Sequence, residues 1–272
     1  ITGTQVISYT YDPLGRLSAA AYSDGKCFQY KYDPVGNRTS QIQTISSTVT
    51  TTYGYDAANR LTDVNGVTYS WDNNGNLLND GSKVYTYTQA NRLITTTASG
   101  LSWSAAYNGD GARLKQTVNS TVTQYVQDLA APLPVALSDT NAVYVYGMGD
   151  SPLAEYANDK WTYLAGRDGL NSVRQEMDAN GYIVTTRSFD PYGVPLQENG
   201  GTPFGYTGEV WDNTGLVYLR ARYMQPGLGM FLSRDPLINE YPYAYGNNNP
   251  VNFTDPSGLF SPEIIKRSLQ EN

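Results

Sequence analysis

The stretch Tyr9-Thr-Tyr-Asp-Pro-Leu-Gly-Arg-Leu17 decides the fold, because it joins the signals of a strand, a tight turn and a second strand. In its Tyr-x-Tyr part both aromatic side chains point to one face of a strand, since side chains alternate with a period of two. The Asp then accepts backbone hydrogen bonds, Pro presets φ, and Gly supplies the positive φ that closes a turn. Arg-Leu begins the returning strand, so the stretch predicts a β-hairpin.

The same pattern recurs through the first half of the chain. Close copies are Tyr30-Lys-Tyr-Asp-Pro-Val-Gly-Asn-Arg38 and Tyr53-Gly-Tyr-Asp-Ala-Ala-Asn-Arg-Leu61, and looser copies begin at Tyr69, Tyr85 and Trp103. The units follow one another at intervals of roughly 16 to 23 residues, which is typical of a repeat array. One hairpin is only marginally stable in water, so successive hairpins must pair sideways. The sequence predicts an all-β protein with one long, curved antiparallel sheet.

The repeat pattern is interrupted at Leu129-Ala-Ala-Pro-Leu-Pro-Val-Ala-Leu137. The two prolines of this stretch disfavour a central strand, so we expect a domain boundary there. Residues 1–128 form the predicted hairpin array and residues 129–259 a second unit. The part from about residue 200 to 259 is aperiodic, rich in Gly, Pro and Asn, and still aromatic, which predicts a plug folded inward or across the end of the sheet. In 260–272, Ser261 as N-cap and Pro262 at the first helical position predict one short helix.

Composition excludes several classes of function. The 272 residues contain 24 Tyr and 26 Gly, which favour strands and turns, and a net charge of −7, which argues against a nucleic-acid partner. There is no His, which removes Ser-His-Asp and Cys-His catalysis and the commonest zinc ligand. The one cysteine, Cys27, permits no internal disulfide. We therefore expect no metal and no cofactor.

No transmembrane or targeting segment is visible, because no run of about 18 apolar residues occurs. The chain opens directly into repeats at Ile1, which we interpret as a mature form or an excised piece of a longer chain. Its acidic composition predicts a soluble surface.

Two stretches near the C-terminus are the most specific in the chain. They are Tyr218-Leu-Arg-Ala-Arg-Tyr-Met-Gln-Pro-Gly-Leu-Gly-Met-Phe-Leu-Ser-Arg-Asp-Pro236 and Tyr243-Ala-Tyr-Gly-Asn-Asn-Asn-Pro-Val-Asn-Phe-Thr-Asp-Pro-Ser-Gly-Leu259. Together they resemble the motif that closes proteins of the RHS-repeat (YD-repeat) family, which also contain the Tyr-Asp hairpins. This resemblance implies a β-sheet shell at 1–128, an RHS repeat-associated core domain at 129–259, and the start of a variable C-terminal segment, often a toxin payload, at 260–272.

The resemblance also implies self-cleavage after Leu259, with Asp235 and Asp255 as the catalytic carboxylates and Phe260 on the other side of the cut. Two aspartates within hydrogen-bond range share a proton, so one can activate water while the other protonates the scissile group. Arg234 is the expected supporting residue. Such cleavage would occur once per chain and act on no external substrate. The competing interpretation is that Asp-Pro pairs are ordinary turn initiators.

Two classes of function follow. The first is a secreted or surface-displayed shell that encloses or presents a C-terminal payload, its partner being its own C-terminal segment. The second is an extracellular fibre or adhesion element without self-cleavage, in which sheet edges pair between chains. Concentration-dependent filaments would distinguish the second class from the first.

Overall fold

The computed structural model describes residues 5–147, 149–198, 200–237 and 241–259, and the regular secondary structure of these residues is almost entirely antiparallel strands. The predicted all-β hairpin array is confirmed. The predicted helix after Phe260 lies outside the described residues. The first sheet follows chain order and has seven strands: β1 (Ile7–Tyr11), β2 (Leu17–Tyr22), β3 (Cys27–Tyr32), β4 (Arg38–Thr44), β5 (Thr48–Tyr55), β6 (Leu61–Val64) and β7 (Val67–Thr68).

The second sheet continues the array, again in chain order, and has fourteen strands in the described part of the chain. It comprises β8 (Ser70–Trp71), β9 (Leu77–Asn79), β10 (Val84–Tyr87), β11 (Leu93–Ala98), β12 (Leu101–Tyr107), β13 (Arg113–Val118), β14 (Thr121–Asp128), β15 (Val135–Asp139), β16 (Ala142–Tyr146), β17 (Pro152–Ala157), β18 (Lys160–Arg167), β19 (Val173–Met177), β20 (Ile183–Phe189) and β21 (Pro195–Glu198).

The turn after β1 explains why the repeat forms hairpins. One carboxylate oxygen of Asp12 accepts the backbone N–H groups of Leu14 and Arg16, both at 3.0 Å. Gly15 has φ +78° and donates its own N–H to the Asp12 carbonyl at 2.9 Å. The strand register shifts beside this turn, which re-aims the chain into β2. Local turn chemistry therefore sets each hairpin.

The ladder of strands is divided at Tyr69, between β7 and β8. Tyr69 donates its backbone N–H to the carbonyl of Thr62 at 2.8 Å, so the chain stays attached to the first sheet while it enters the second. The second sheet runs without a break through residue 128, because β14 pairs with β15. The proposed domain boundary at 128/129 thus falls inside one sheet and stays a prediction.

Side chains join the two ends of the array, which shows that the sheets curve strongly. Tyr22 of β2 donates its hydroxyl to the carbonyl of Phe189 at 3.3 Å. Tyr192 lies in the turn after β20. Its hydroxyl oxygen is 3.0 Å from the hydroxyl oxygen of Tyr32, and its ring packs edge-to-face on Tyr30. Strands β1 and β21 lie at the edges of their sheets in the described structure.

The predicted plug is confirmed as a small third sheet with flanking turns that packs against the array. Its strands are β22 (Val210–Trp211), β23 (Val217–Leu219), β24 (Arg222–Gln225) and β25 (Met230–Phe231), and short 3-10 turns lie at Tyr206–Gly208 and Tyr245–Asn248. One apolar core joins plug and array, and consists of Leu77, Tyr85, Leu93, Trp103, Leu216, Tyr223 and Leu232. In the part of the chain that the structure describes, no helix is long and apolar enough to span a membrane.

Candidate active site

A buried arginine holds the two predicted catalytic carboxylates. The tight β23–β24 hairpin pairs Leu219 with Arg222 and carries the Arg222 side chain into the plug, where it is 3% exposed. Its Nη2 atom lies 2.7 Å from Oδ2 of Asp235 and 3.4 Å from Oδ2 of Asp255. Arg222 also donates to the carbonyls of Gly258 and Pro242, and its guanidinium lies over the ring of Phe231. The fold therefore brings Asp235 and Asp255 to one shared cation.

Each carboxylate uses its second oxygen to cap a turn. Oδ1 of Asp235 accepts the backbone N–H of Leu237 at 2.9 Å, and Oδ1 of Asp255 accepts that of Leu259 at 3.0 Å. The turn-initiating role weighed from the sequence is thus present, and the same side chains also meet at Arg222. In both aspartates Oδ1 caps the turn and Oδ2 contacts Arg222.

The electrostatics of this site disfavour full ionisation. Burial raises the pKa of Asp255, Arg222 and the contacts with Ser257 and the Leu259 N–H oppose that rise, and the neighbouring charge of Asp235 adds to it. Burial also lowers the pKa of Arg222, although both aspartates oppose this change. Two carboxylates share one cation here, so a proton on one of them relieves their repulsion. Because its pKa is raised, Asp255 keeps a proton to a higher pH than an exposed aspartate does.

The residue before the predicted cut is fixed by the turn that Asp255 begins. Leu259 donates its N–H to Asp255 and also to Oγ of Ser257, at 2.9 Å, and its carbonyl oxygen lies 3.0 Å from the same Oγ. Gly258 has φ +67°, and a Cβ there would lie 2.3 Å from the carbonyl oxygen of Leu219. Only glycine allows this close approach of the turn to the β23–β24 hairpin.

An open cleft of about 460 Å³ reaches this site from the surface. Its walls come from the plug and from turns of the array, so the site lies where the two meet. The lining includes Asn74, Asn91, Arg92, Arg222, Arg234, Asp235 and Leu259. The cleft thus gives solvent a route to both Asp235 and Leu259.

The structure places the residues predicted from the sequence in different ways. Asp235, Asp255 and Leu259 come together, whereas Phe260 lies outside the described residues. Arg234 is exposed on the cleft wall, and its supporting role stays a prediction. Arg222 was missed by sequence reasoning, although the sequence places this charged residue between Ala221 and the aromatic Tyr223. No cluster of three or more Asp, Glu or Cys side chains suited to a metal ion occurs in the described ranges.

Comparison with known proteins identifies relatives over nearly the whole chain. The family model described as Teneurin YD-shell matches residues 2–253. The tRNA3(Ser)-specific nuclease WapA of Bacillus spizizenii is 33% identical over 270 residues, which cover 91% of this chain and 12% of the relative. Teneurin-4 of Mus musculus is 25% identical over 281 residues, covering 94% and 10%. Double-stranded DNA deaminase toxin A of Burkholderia cenocepacia is 26% identical over 304 residues, covering 92% and 20%.

Solved structures share the fold. The Photorhabdus luminescens Tc holotoxin pore matches with a TM-score of 0.55 and 20% identity, over 94% of this chain and 18% of that one. The complex TcdB2-TccC3 matches with a TM-score of 0.53 and 19% identity, over 94% and 19%. The chain spans a fifth or less of each relative named here. Because the family model covers most of its length, the chain belongs to the teneurin YD-shell family of YD-repeat proteins.

Proposed function

We propose that this chain is a shell segment of a toxin-delivery protein, which encloses or presents a C-terminal payload and cuts its own Leu259–Phe260 bond. The observation that carries the proposal is the contact of Asp235 and Asp255 with one buried arginine, while Asp255 holds the N–H of Leu259. Relatives that are a nuclease and a deaminase toxin by name support the payload. The partner is the segment after Leu259, with residues 129–259 acting as the core domain.

The geometry supports water as the nucleophile. Asp235 lies 2.7 Å from Nη2 of Arg222, and it lines the cleft together with Leu259. It is the base that removes a proton from water as the water attacks the Leu259 carbonyl carbon. Asp255, whose pKa is raised by burial, is the acid. The tetrahedral intermediate collapses when the nitrogen of Phe260 receives the proton that Asp235 took from water, and the C–N bond breaks.

We propose that the protein works outside the cell, either secreted or at the surface. A relative called Salivary gland surface protein 1, from Aedes aegypti, supports this location, at 26% identity over 274 residues. The net charge of −7 supports a shell that does not itself bind nucleic acid.

Intact-mass spectrometry of the purified 272-residue chain tests the self-cleavage. The folded wild type should yield a fragment ending at Leu259, and Asp235→Asn or Asp255→Asn should stay uncut because each loses one member of the acid and base pair. Asp178→Asn is the matched control, since Oδ1 of Asp178 caps an exposed turn by accepting the backbone N–H groups two and four residues on. A wild type that stays whole after folding would disprove self-cleavage, and cutting in both site variants would show that the carboxylates are wrongly assigned.

A fibre or adhesion element is the second candidate function. The observation that favours it is the position of β1 and β21 at sheet edges, where unpaired backbone groups can bind another chain. Sedimentation velocity over a range of protein concentrations separates the two functions. Growth into filaments with concentration would favour the fibre, whereas one constant small species would favour the shell.

A further inference from the structure

The hydroxyl of Ser257 lies between the proposed acid and the bond to be cut. Its Oγ atom is 3.0 Å from Oδ1 of Asp255 and 3.0 Å from the carbonyl oxygen of Leu259. The same Oγ accepts the N–H of Leu259 at 2.9 Å. Ser257 is 9% exposed, so water competes little for these contacts. The carboxylate of Asp255 meets the N–H of Leu259, and the serine hydroxyl is the group that reaches the carbonyl oxygen.

The contacts of Arg222 determine where a proton on Asp255 resides. Both oxygens of Asp255 face donors, the charged Nη2 of Arg222 at Oδ2 and the neutral N–H of Leu259 at Oδ1. Hydrogen bonds to a charged group are the stronger ones, so a proton meets less competition at Oδ1. The proton is therefore carried by Oδ1, which is the oxygen beside Ser257. A hydroxyl has one proton and two acceptor positions. When Asp255 donates to Oγ, the serine proton is directed to the other neighbour, the carbonyl oxygen of Leu259.

We propose that Ser257 is a catalytic residue that passes a proton from Asp255 to the carbonyl oxygen of Leu259. This inference rests on the proposed self-cleavage and assigns the route of its acid. Water adds its oxygen to the carbonyl carbon and loses a proton to Asp235. The carbonyl oxygen takes the Ser257 proton, and Ser257 takes the Asp255 proton. When the intermediate collapses, the hydroxyl formed from the Leu259 carbonyl returns its proton through Ser257 to Asp255. The Asp235 proton goes to the Phe260 nitrogen. One water is consumed.

The turn does not need the hydroxyl for its shape. Gly258 donates its N–H to the carbonyl of Asp255 at 3.2 Å, Leu259 donates to Oδ1 of Asp255, and Ala221 donates to the carbonyl of Ser257 at 3.1 Å. All three contacts use the backbone or Asp255. Removing the Ser257 hydroxyl should therefore spare the turn while it breaks the proton route.

The test is the rate of self-cleavage of the full chain, followed by intact mass after refolding. Ser257→Ala should slow the cut by about 10²-fold, the effect of losing one donor to a developing oxyanion. Ser257→Cys should be similarly slow, because a thiol keeps the volume but donates weakly. Ser82→Ala is the matched control, since the Ser82 hydroxyl likewise contacts the aspartate two residues before it, at 2.8 Å, and lies away from the site.

The outcomes distinguish a proton route through Ser257 from self-cleavage without it and from a structural role of Ser257. Slow cutting in both Ser257 variants, with folded circular dichroism spectra and a normal Ser82→Ala rate, supports the proton route. Wild-type rates in either Ser257 variant overturn the route and leave self-cleavage standing. A wild type that is never cut overturns both proposals. Loss of the fold in both variants assigns Ser257 to the turn and overturns the catalytic role.

Discussion

Arg222 is the residue on which the site depends, because a single buried guanidinium contacts two carboxylates, two carbonyls and an aromatic ring. Removing one partner of a buried ion pair strongly destabilises a protein, because the remaining charge stays buried without a partner and without solvent. The aspartates are local signals, because Asp-Pro pairs are visible in the sequence as turn initiators. The choice of Arg222 as their shared partner is a tertiary property, so motif spacing could not distinguish it from Arg234.

Substitution of Arg222 tests this dependence. Arg222→Met should lower the free energy of unfolding by about 3–5 kcal/mol, because it leaves Asp235 and Asp255 buried without their shared cation. Urea denaturation measures the loss. Arg234→Met, at an exposed position, should change the unfolding free energy by less than about 0.5 kcal/mol. Equal losses in the two variants would contradict the placement of Arg222.

At the scale of elements, the turn chemistry of the sequence was sufficient to predict the hairpins, since Asp12 and Gly15 act through neighbouring backbone groups. It could not predict the division of the array at Tyr69. Just after that division the chain meets the plug, where Asn76, between β8 and β9, forms a bridge to Ser233 and Leu77 of β9 donates its N–H to the Leu232 carbonyl. Long-range contacts of this kind leave no periodic pattern in the sequence.

The strands β15, β17, β19 and β20 bring a group of charged side chains together. Burial raises the pKa of Glu155 to about 7, with further contributions from Glu176 and Asp139, and Arg187 opposes the rise. A glutamate with a raised pKa holds its proton longer in the folded chain than in the unfolded chain. Its contribution to stability is therefore complete below about pH 4.5 and is lost as the pH rises through about 7.

The loss of the Glu155 contribution with rising pH gives a prediction for the pH dependence of stability. The wild type should lose unfolding free energy between pH 5 and 8, and Glu155→Gln should reduce that loss, because glutamine does not ionise. Chemical denaturation at several pH values measures both slopes. Asp159→Asn, in the exposed turn after β17, should keep the wild-type slope. A wild type that became more stable with rising pH while Glu155→Gln did not would reverse the sign and refute the assignment.

At the scale of the whole molecule, the two sheets act as one body because the plug packs against both and side chains join the ends. Tyr192 is central to this union. It contacts Tyr32 through its hydroxyl, and the guanidinium of the buried Arg38 lies 4.1 Å from the centre of its ring. The first sheet is therefore expected to unfold together with the rest of the chain.

Tyr192→Ala should break this cooperativity. Removal of the ring should cost about 3–5 kcal/mol through lost contacts and a cavity. It should also change a single urea transition into two, with the first sheet unfolding separately. Hydrogen exchange would locate the weaker part in β1–β7. Tyr163→Ala, on the exposed face of β18, should retain a single transition. A single transition for Tyr192→Ala as well would show that other contacts couple the first sheet to the rest of the chain.

The shared arginine also bears on whether a cut chain can be rejoined. Cleavage after Leu259 would create a terminal carboxylate beside Asp235 and Asp255, so three acids would face the one guanidinium of Arg222. Resealing the bond would require this crowded product to lose its new charge in a site that water can enter through the cleft. The electrostatic repulsion would push the new end away from the site into solvent, where it stays ionised, and this displacement makes the break irreversible.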